Sequence, residues 1–135
     1  MGSEIKSAAL PAVGALAYLG DARHALFVRR MLVGRGLCKS GDLNKAALSY
    51  VTAEAQAKMY EKIAPLLTEE EAATFKRAFN SNHLNKPKHA SGRDYRTATG
   101  YEAVIGMLCF LGEDERLEYL LKISHSEDDK NDTEN

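Results

Sequence analysis

SAALPAVGALAYLGDARHALFVRRML, residues 7–32, is the stretch whose reading decides the fold class. Its apolar residues (Val13, Leu16, Tyr18, Leu19, Ala22, Leu26, Phe27, Val28, Met31 and Leu32) fall on nearly every side of a helix, and such a helix belongs in a core. Pro11 is tolerated near a helix start, where backbone donors have no partner anyway. Gly34 and Gly36 predict the stop. One acid, Asp21, stands in the middle. A carboxylate in a core is costly unless a cation or hydrogen-bond donors compensate it. Its helical neighbours Ala17, Gly20, Ala22 and Ala25 are small, so a second helix or a ligand can come close. Two readings stay open at this point: Asp21 paired with an arginine inside the fold, or Asp21 as a ligand.

Helical signals continue outward from this segment. A second helix is expected from residues 40–42 through Tyr50, and Thr52 can cap a continuation carrying Ala55, Met59, Ile63 and Leu66. Thr68 followed by Glu71 spells a capping box, with Glu69 and Glu70 adding favourable charge to the first turn of a helix that should end near Asn80. Residues 81–94 are polar and contain Pro87 and Gly92, so they read as a long loop, which in a compact domain is usually functional or disordered. Helix returns over about residues 96–111, breaks at Gly112 and resumes over 114–123. No run alternates at period two and no repeat is visible. The predicted class is all-α.

The length of 135 residues suits one domain with a real core. Expected boundaries are 1–125 for that domain and 126–135 for a disordered acidic tail. The net charge of −1 hides a division. Residues 126–135 hold Glu127, Asp128, Asp129, Asp132 and Glu134 against Lys130, net −4, which leaves residues 1–125 at net +3. Residues 76–96 carry six bases (Lys76, Arg77, Lys86, Lys88, Arg93, Arg96) against Asp94 alone. Cys38 and Cys109 have no metal-ligand spacing and read as free thiols of a reducing compartment. The opening MGSEIKSAAL carries an acid and lacks a basic region followed by an apolar block, so no secretory leader is expected. No stretch approaches the roughly 18 apolar residues of a membrane span. The expected location is the cytoplasm.

A second isolated acid lies in TGYEAVIG, residues 99–106. Glu102 is flanked by the core-like Tyr101, Ala103, Val104, Ile105, Met107 and Leu108, and it shares a helix face with Thr99 and Gly106. A hydroxyl and a bare backbone beside a carboxylate suit a hydrated metal, and they equally suit tight helix packing. If the helices carrying Asp21 and Glu102 cross at these points, two carboxylates face each other. Unpaired, they would repel and be driven to protonate. A hard divalent cation held by few carboxylates and waters resolves this, which is the chemistry magnesium (Mg2+) prefers. The basic loop feeds directly into the Glu102 helix, where a phosphate backbone could bind.

Several stretches taken together resemble a known family. They are ALAYLGDA (15–22), FVRR (27–30), DLNKAALSYVTAEAQAK (42–58), LTEEE (67–71), KRAFN (76–80), KPK (86–88), YRTATGYEAVIG (95–106) and the following ERL (115–117). In this order they resemble the Mini-III ribonucleases, the short branch of the ribonuclease III family that lacks a double-stranded-RNA-binding domain. The resemblance implies a ribonuclease III endonuclease-type helical fold, a homodimer, magnesium at each active site, and Asp21 and Glu102 as the catalytic, metal-binding acids. It implies cleavage of double-stranded RNA, specifically the 23S ribosomal RNA precursor, leaving 5′-phosphate and 3′-hydroxyl ends. Gly14 and Ala17 stand where full-length ribonuclease III enzymes carry glutamates, and Thr99 stands where they carry an aspartate, so Thr99 is expected beside the metal ligands rather than among them. Ala25 and Phe79 also depart from residues common in the short branch. Without an accessory domain the catalytic domain must grip the duplex itself. Lys76, Arg77, Lys86, Lys88 and Arg93 are the candidates for phosphate, and Asn80, Asn82 and His83 for the 2′-hydroxyls of an A-form minor groove. Two rivals are a catalytically silent double-stranded-RNA-binding protein, which would need one of the two acids missing, and a helical protein–protein adaptor with its acids paired to arginines. His24, one turn after Asp21, could touch the site.

Overall fold

The computed structural model describes residues 10–81 and 92–126. These residues form six α-helices and no strand: α1 Val13–Gly34, α2 Ser40–Val51, α3 Ala53–Ile63, a 3-10 turn Ala64–Leu66, α4 Glu69–Phe79, α5 Gly92–Leu111 and α6 Asp114–Ser124. The all-α expectation holds. The expected acidic tail lies outside the described residues apart from Ser126.

Local chemistry sets most helix ends. The hydroxyl of Thr52 accepts from the Ala55 amide at 3.1 Å and opens α3. The Thr68 hydroxyl accepts from the Glu71 amide while the Glu71 carboxylate accepts from the Thr68 amide, so the capping box closes at the start of α4. Gly36 (φ +95°) and Gly112 (φ +70°) take the left-handed backbone that ends α1 and α5. Two ends differ from expectation. Leu10–Ala12 are not helical and α1 starts at Val13, because the residue before a proline is pushed out of the α region. Helix α5 begins at Gly92, inside the segment read as loop, and Arg93 therefore sits in its first turn.

Helix α5 is the centre of the fold. Tyr101, Ala103, Val104 and Ile105 are fully buried, and α1, α3 and α4 pack around it. Leu16, Val28 and Leu32 of α1, Ile63 of α3, and Leu117, Leu120 and Leu121 of α6 complete the interior. Met59 and Met107 lie in the core, Met31 is half-buried, and the Thr74 hydroxyl donates to the Met107 sulfur at 3.2 Å. Cys38 and Cys109 are free thiols, with Cys38 on the surface. Two ion pairs tie α6 down: Arg23 to Glu118 at 2.7 Å, and Arg116 to both oxygens of the buried Glu71 at 2.7 and 2.9 Å. Burial pushes the Glu71 carboxyl up, but the hydrogen bonds and charge of Arg116 and the Thr68 amide outweigh it and hold it below its ordinary range.

Helix α1 departs from the sequence expectation. Its buried residues are Leu16, Ala17, Gly20, His24, Val28 and Leu32, a single stripe at four-residue spacing. Tyr18 is 83% exposed, and Leu26, Val33 and Asp21 also lie at the surface. The helix is apolar on two sides but covered on one by the described residues, and Asp21 is exposed rather than a core carboxylate.

Candidate active site

Backbone contact between α1 and α5 builds the site. A methyl group at Gly20 would stand 1.7 Å from the Glu102 carbonyl oxygen, and one at Gly106 would stand 1.8 Å from that of Leu16. Only two bare backbones can cross this closely. Asp21 follows Gly20 directly, and Glu102 sits one turn before Gly106. The crossing therefore brings the two isolated acids together, close enough for Asp21 to act on the Glu102 carboxyl.

Glu102 is half-buried and Asp21 is exposed. Burial pushes the Glu102 carboxyl up to about 8, and the neighbouring Asp21 carboxyl pushes it the same way. Gln56 acts against them: its Nε2 donates to Glu102 Oε2 at 3.3 Å. The ion pairs among the described residues join Arg23 to Glu118, Lys58 to Glu54 and Arg116 to Glu71, and none includes Asp21 or Glu102. Arg23, the arginine nearest Asp21 in sequence, is taken by Glu118.

Thr99 is buried and its hydroxyl donates to the Tyr95 carbonyl of its own helix at 2.9 Å. Gly106 serves the helix crossing. His24 is fully buried and reaches the acids through an intermediary: its Nδ1 lies 3.3 Å from Gln56 Nε2. Its Nε2 lies 2.8 Å from Nε2 of His125, at the end of α6. Burial, and then its neighbour His125, push His24 down to about 3; burial, then Lys62 and Arg35, push His125 down to about 4. Both rings are neutral at pH 7. Sequence reasoning passed over Gln56 and His125. The available signal was Gln56 itself, a polar residue at i−3 and i−7 to Met59 and Ile63 on the apolar stripe of α3.

Lys76, Arg77 and Asn80 are exposed at the end of α4, and Arg93 is exposed at the start of α5. They flank residues 82–91 from both sides. Arg93 lines a depression of about 430 Å³ with Tyr60, Phe75 and Phe79. Glu102 lies nine positions further on, about 13 Å along the helix. Asn82, His83, Lys86 and Lys88 lie outside the described residues.

The donor set has a definite chemistry. Among the described residues no three His, Cys, Asp or Glu side chains gather as a metal cage. Two oxygen ligands, one open to solvent, fit a hard cation that keeps most of its water, as magnesium does, and not a soft metal that needs nitrogen or sulfur.

Residues 14–112 match the ribonuclease III domain family. The chain is 42% identical over 107 residues to Mini-ribonuclease 3 of Symbiobacterium thermophilum, covering 79% of this chain and 82% of that one. It is 44% identical over 102 residues to Mini-ribonuclease 3 of Brevibacillus brevis, covering 76% of each. An X-ray crystal structure of a Fusobacterium nucleatum protein superimposes with a TM-score of 0.72 at 33% identity, covering 80% of this chain and 86% of that one.

Proposed function

Because the chain belongs to the ribonuclease III family and is an endoribonuclease, we propose that Asp21 and Glu102 are its catalytic acids, that they hold magnesium, and that the substrate is double-stranded RNA. The observation that carries this reading is the apposition of the two carboxyl groups by the Gly20–Gly106 crossing. Glu102, pushed up by burial and by Asp21 and joined to no arginine or lysine among the described ion pairs, is favoured in its ionised form by a cation.

Bound there, magnesium would supply Lewis-acid activation of a water nucleophile and stabilisation of charge at the scissile phosphate. The residues of the chain do the rest. Asp21, exposed on α1, and Glu102, seated in α5 and bonded by Gln56, would hold the cation between them. Thr99, buried one turn before Glu102, keeps that face of α5 small. Attack in line with the phosphodiester leaves 5′-phosphate and 3′-hydroxyl ends.

Lys76, Arg77 and Arg93, with Lys86 and Lys88, are the proposed phosphate contacts, and Asn80, Asn82 and His83 the proposed 2′-hydroxyl contacts. The proposed biological substrate is the 23S ribosomal RNA precursor and the proposed location the cytoplasm. No helix among the described residues is long and apolar enough to cross a membrane. The outer face of α1 supports a homodimer: Tyr18, Leu26 and Val33 stand exposed on it, uncovered by the described residues. A silent RNA-binding protein is not favoured, since both acids are present. An adaptor is not favoured either, since neither acid is among the described ion pairs.

Purified protein incubated with duplex RNA should cut it with magnesium and not after chelation. Asp21→Asn should keep its helical signal and oligomeric state and lose cleavage by at least about a hundredfold. Normal cutting by that variant would remove Asp21 from the site.

A further inference from the structure

Helix α3 places a glutamine where a core residue belongs. Gln56 is 2% exposed, between the buried Ala57 and Met59 and the α1–α5 crossing. A buried amide is costly unless its atoms find partners. Its nitrogen has two, Glu102 Oε2 and His24 Nδ1, each at 3.3 Å.

The chemistry of those partners fixes a direction. An amide nitrogen carries two hydrogens and cannot accept. An ionised Glu102 can only accept, so Gln56 must turn its nitrogen, not its oxygen, toward that carboxylate. The other hydrogen then needs an acceptor, and His24 Nδ1 must be bare. His24 therefore carries its proton on Nε2 and donates it across 2.8 Å to Nε2 of His125, which must be bare in turn. The rings are held by packing as well. His24 and His125 lie end to end with centroids 5.0 Å apart and planes 26° from parallel, and the edge-on Tyr101 ring sits 5.5 Å from His24. Side chains from α6, α1 and α3 thus form one line ending on the acid of α5.

We propose that Gln56 is a positioning residue for Glu102, and that His24 and His125 set which end of its amide faces that carboxylate. This rests on the reading of Glu102 as a metal ligand and adds the device that aims it. The line holds Oε2 of the ionised Glu102 in place, so cation binding has less of that side chain to order. Outer partners of metal ligands matter in this way by about ten- to a hundredfold in affinity.

The test uses Mn2+ alone as probe, by titration calorimetry on the full chain. Gln56→Met, close in length but without a donor, should bind Mn2+ about tenfold more weakly with an unchanged helical circular-dichroism signal. Binding within twofold of the parent, while Glu102→Gln abolishes it, would overturn the positioning role and leave the metal site standing. If Glu102→Gln itself binds normally, the metal reading falls and the positioning role with it. A second measurement needs no mutation. In magnesium-saturated protein at pH 7, ring-nitrogen NMR should find the proton of His24 on Nε2 and that of His125 on Nδ1. The opposite tautomers would overturn the proposal whatever the calorimetry shows.

Discussion

At the scale of single residues, Glu102 and Glu71 show how environment sends two glutamates in opposite directions. Glu102 is raised to about 8 from 4.5, first by burial and then by Asp21. A folded-state pKa above the unfolded one means that the folded protein holds the proton more tightly. The stability this contributes is fully present below about 4.5 and lost as pH rises through about 8. In chelator, Glu102→Gln should therefore melt higher than the parent at pH 8.5, with the gain vanishing near pH 4.5; a gain independent of pH would contradict the assignment. Cation binding displaces the same proton, so Mn2+ affinity should climb between pH 6 and 8. Glu71 is the reverse case, held down by Arg116. Removing its partner leaves a charge that is 3% exposed with no cation beside it and only the Thr68 amide donating to it, and Arg116→Ala should cost about 3 kcal/mol in urea unfolding at pH 7. Less than about 0.5 kcal/mol would place that pair among ordinary surface ion pairs. Both glutamates were visible in the sequence, but only Glu71 came with a local reason for its place, the capping box with Thr68.

At the scale of elements, the α1–α5 crossing is the joint on which the site depends. A Cβ at Gly20 would meet backbone atoms of Glu102 and Gly106, not the yielding end of a side chain. The helices would have to separate, and they carry Asp21 and Glu102 with them. Gly20→Ala should lower stability by at least about 3 kcal/mol and weaken Mn2+ binding in whatever fraction stays folded. Gly14, with open space around it, is the control: Gly14→Ala in the same helix should be neutral or slightly stabilising. Equal effects of the two substitutions in thermal melts would mean that the crossing is not the constraint. Small residues around Asp21 suggested a close approach from sequence. They did not say which helix approaches, because spacing along one helix carries no information about its partner.

At the scale of the whole molecule, α1 is apolar on two faces and the described residues cover only one. Tyr18, Leu26 and Val33 follow one side of the helix, next to Asp21. A second copy seated there would bury the row and place both candidate sites on one assembly, which suits a substrate of two strands. Tyr18→Arg combined with Leu26→Arg should halve the mass seen in analytical ultracentrifugation while leaving the helical signal intact. A parent chain that sediments as a monomer at micromolar concentration would remove the dimer from the proposed function.

The helical class, the capping boundaries at Thr52 and Thr68, the glycine stops at Gly36 and Gly112 and the two isolated acids were all determined by the sequence alone. Each depends on chemistry within a turn or two of the residue: a hydroxyl reaching an amide three residues on, a backbone free to turn left-handed, a charge standing out against apolar neighbours. Tertiary structure decided the rest. It put Asp21 in solvent rather than in the core, because only one stripe of α1 faces α5. It also joined Glu102, Gln56, His24 and His125, which come from four helix ends or faces and are as far as 101 positions apart. No periodicity records such a meeting, since it depends on where the bare backbones of Gly20 and Gly106 let two helices touch.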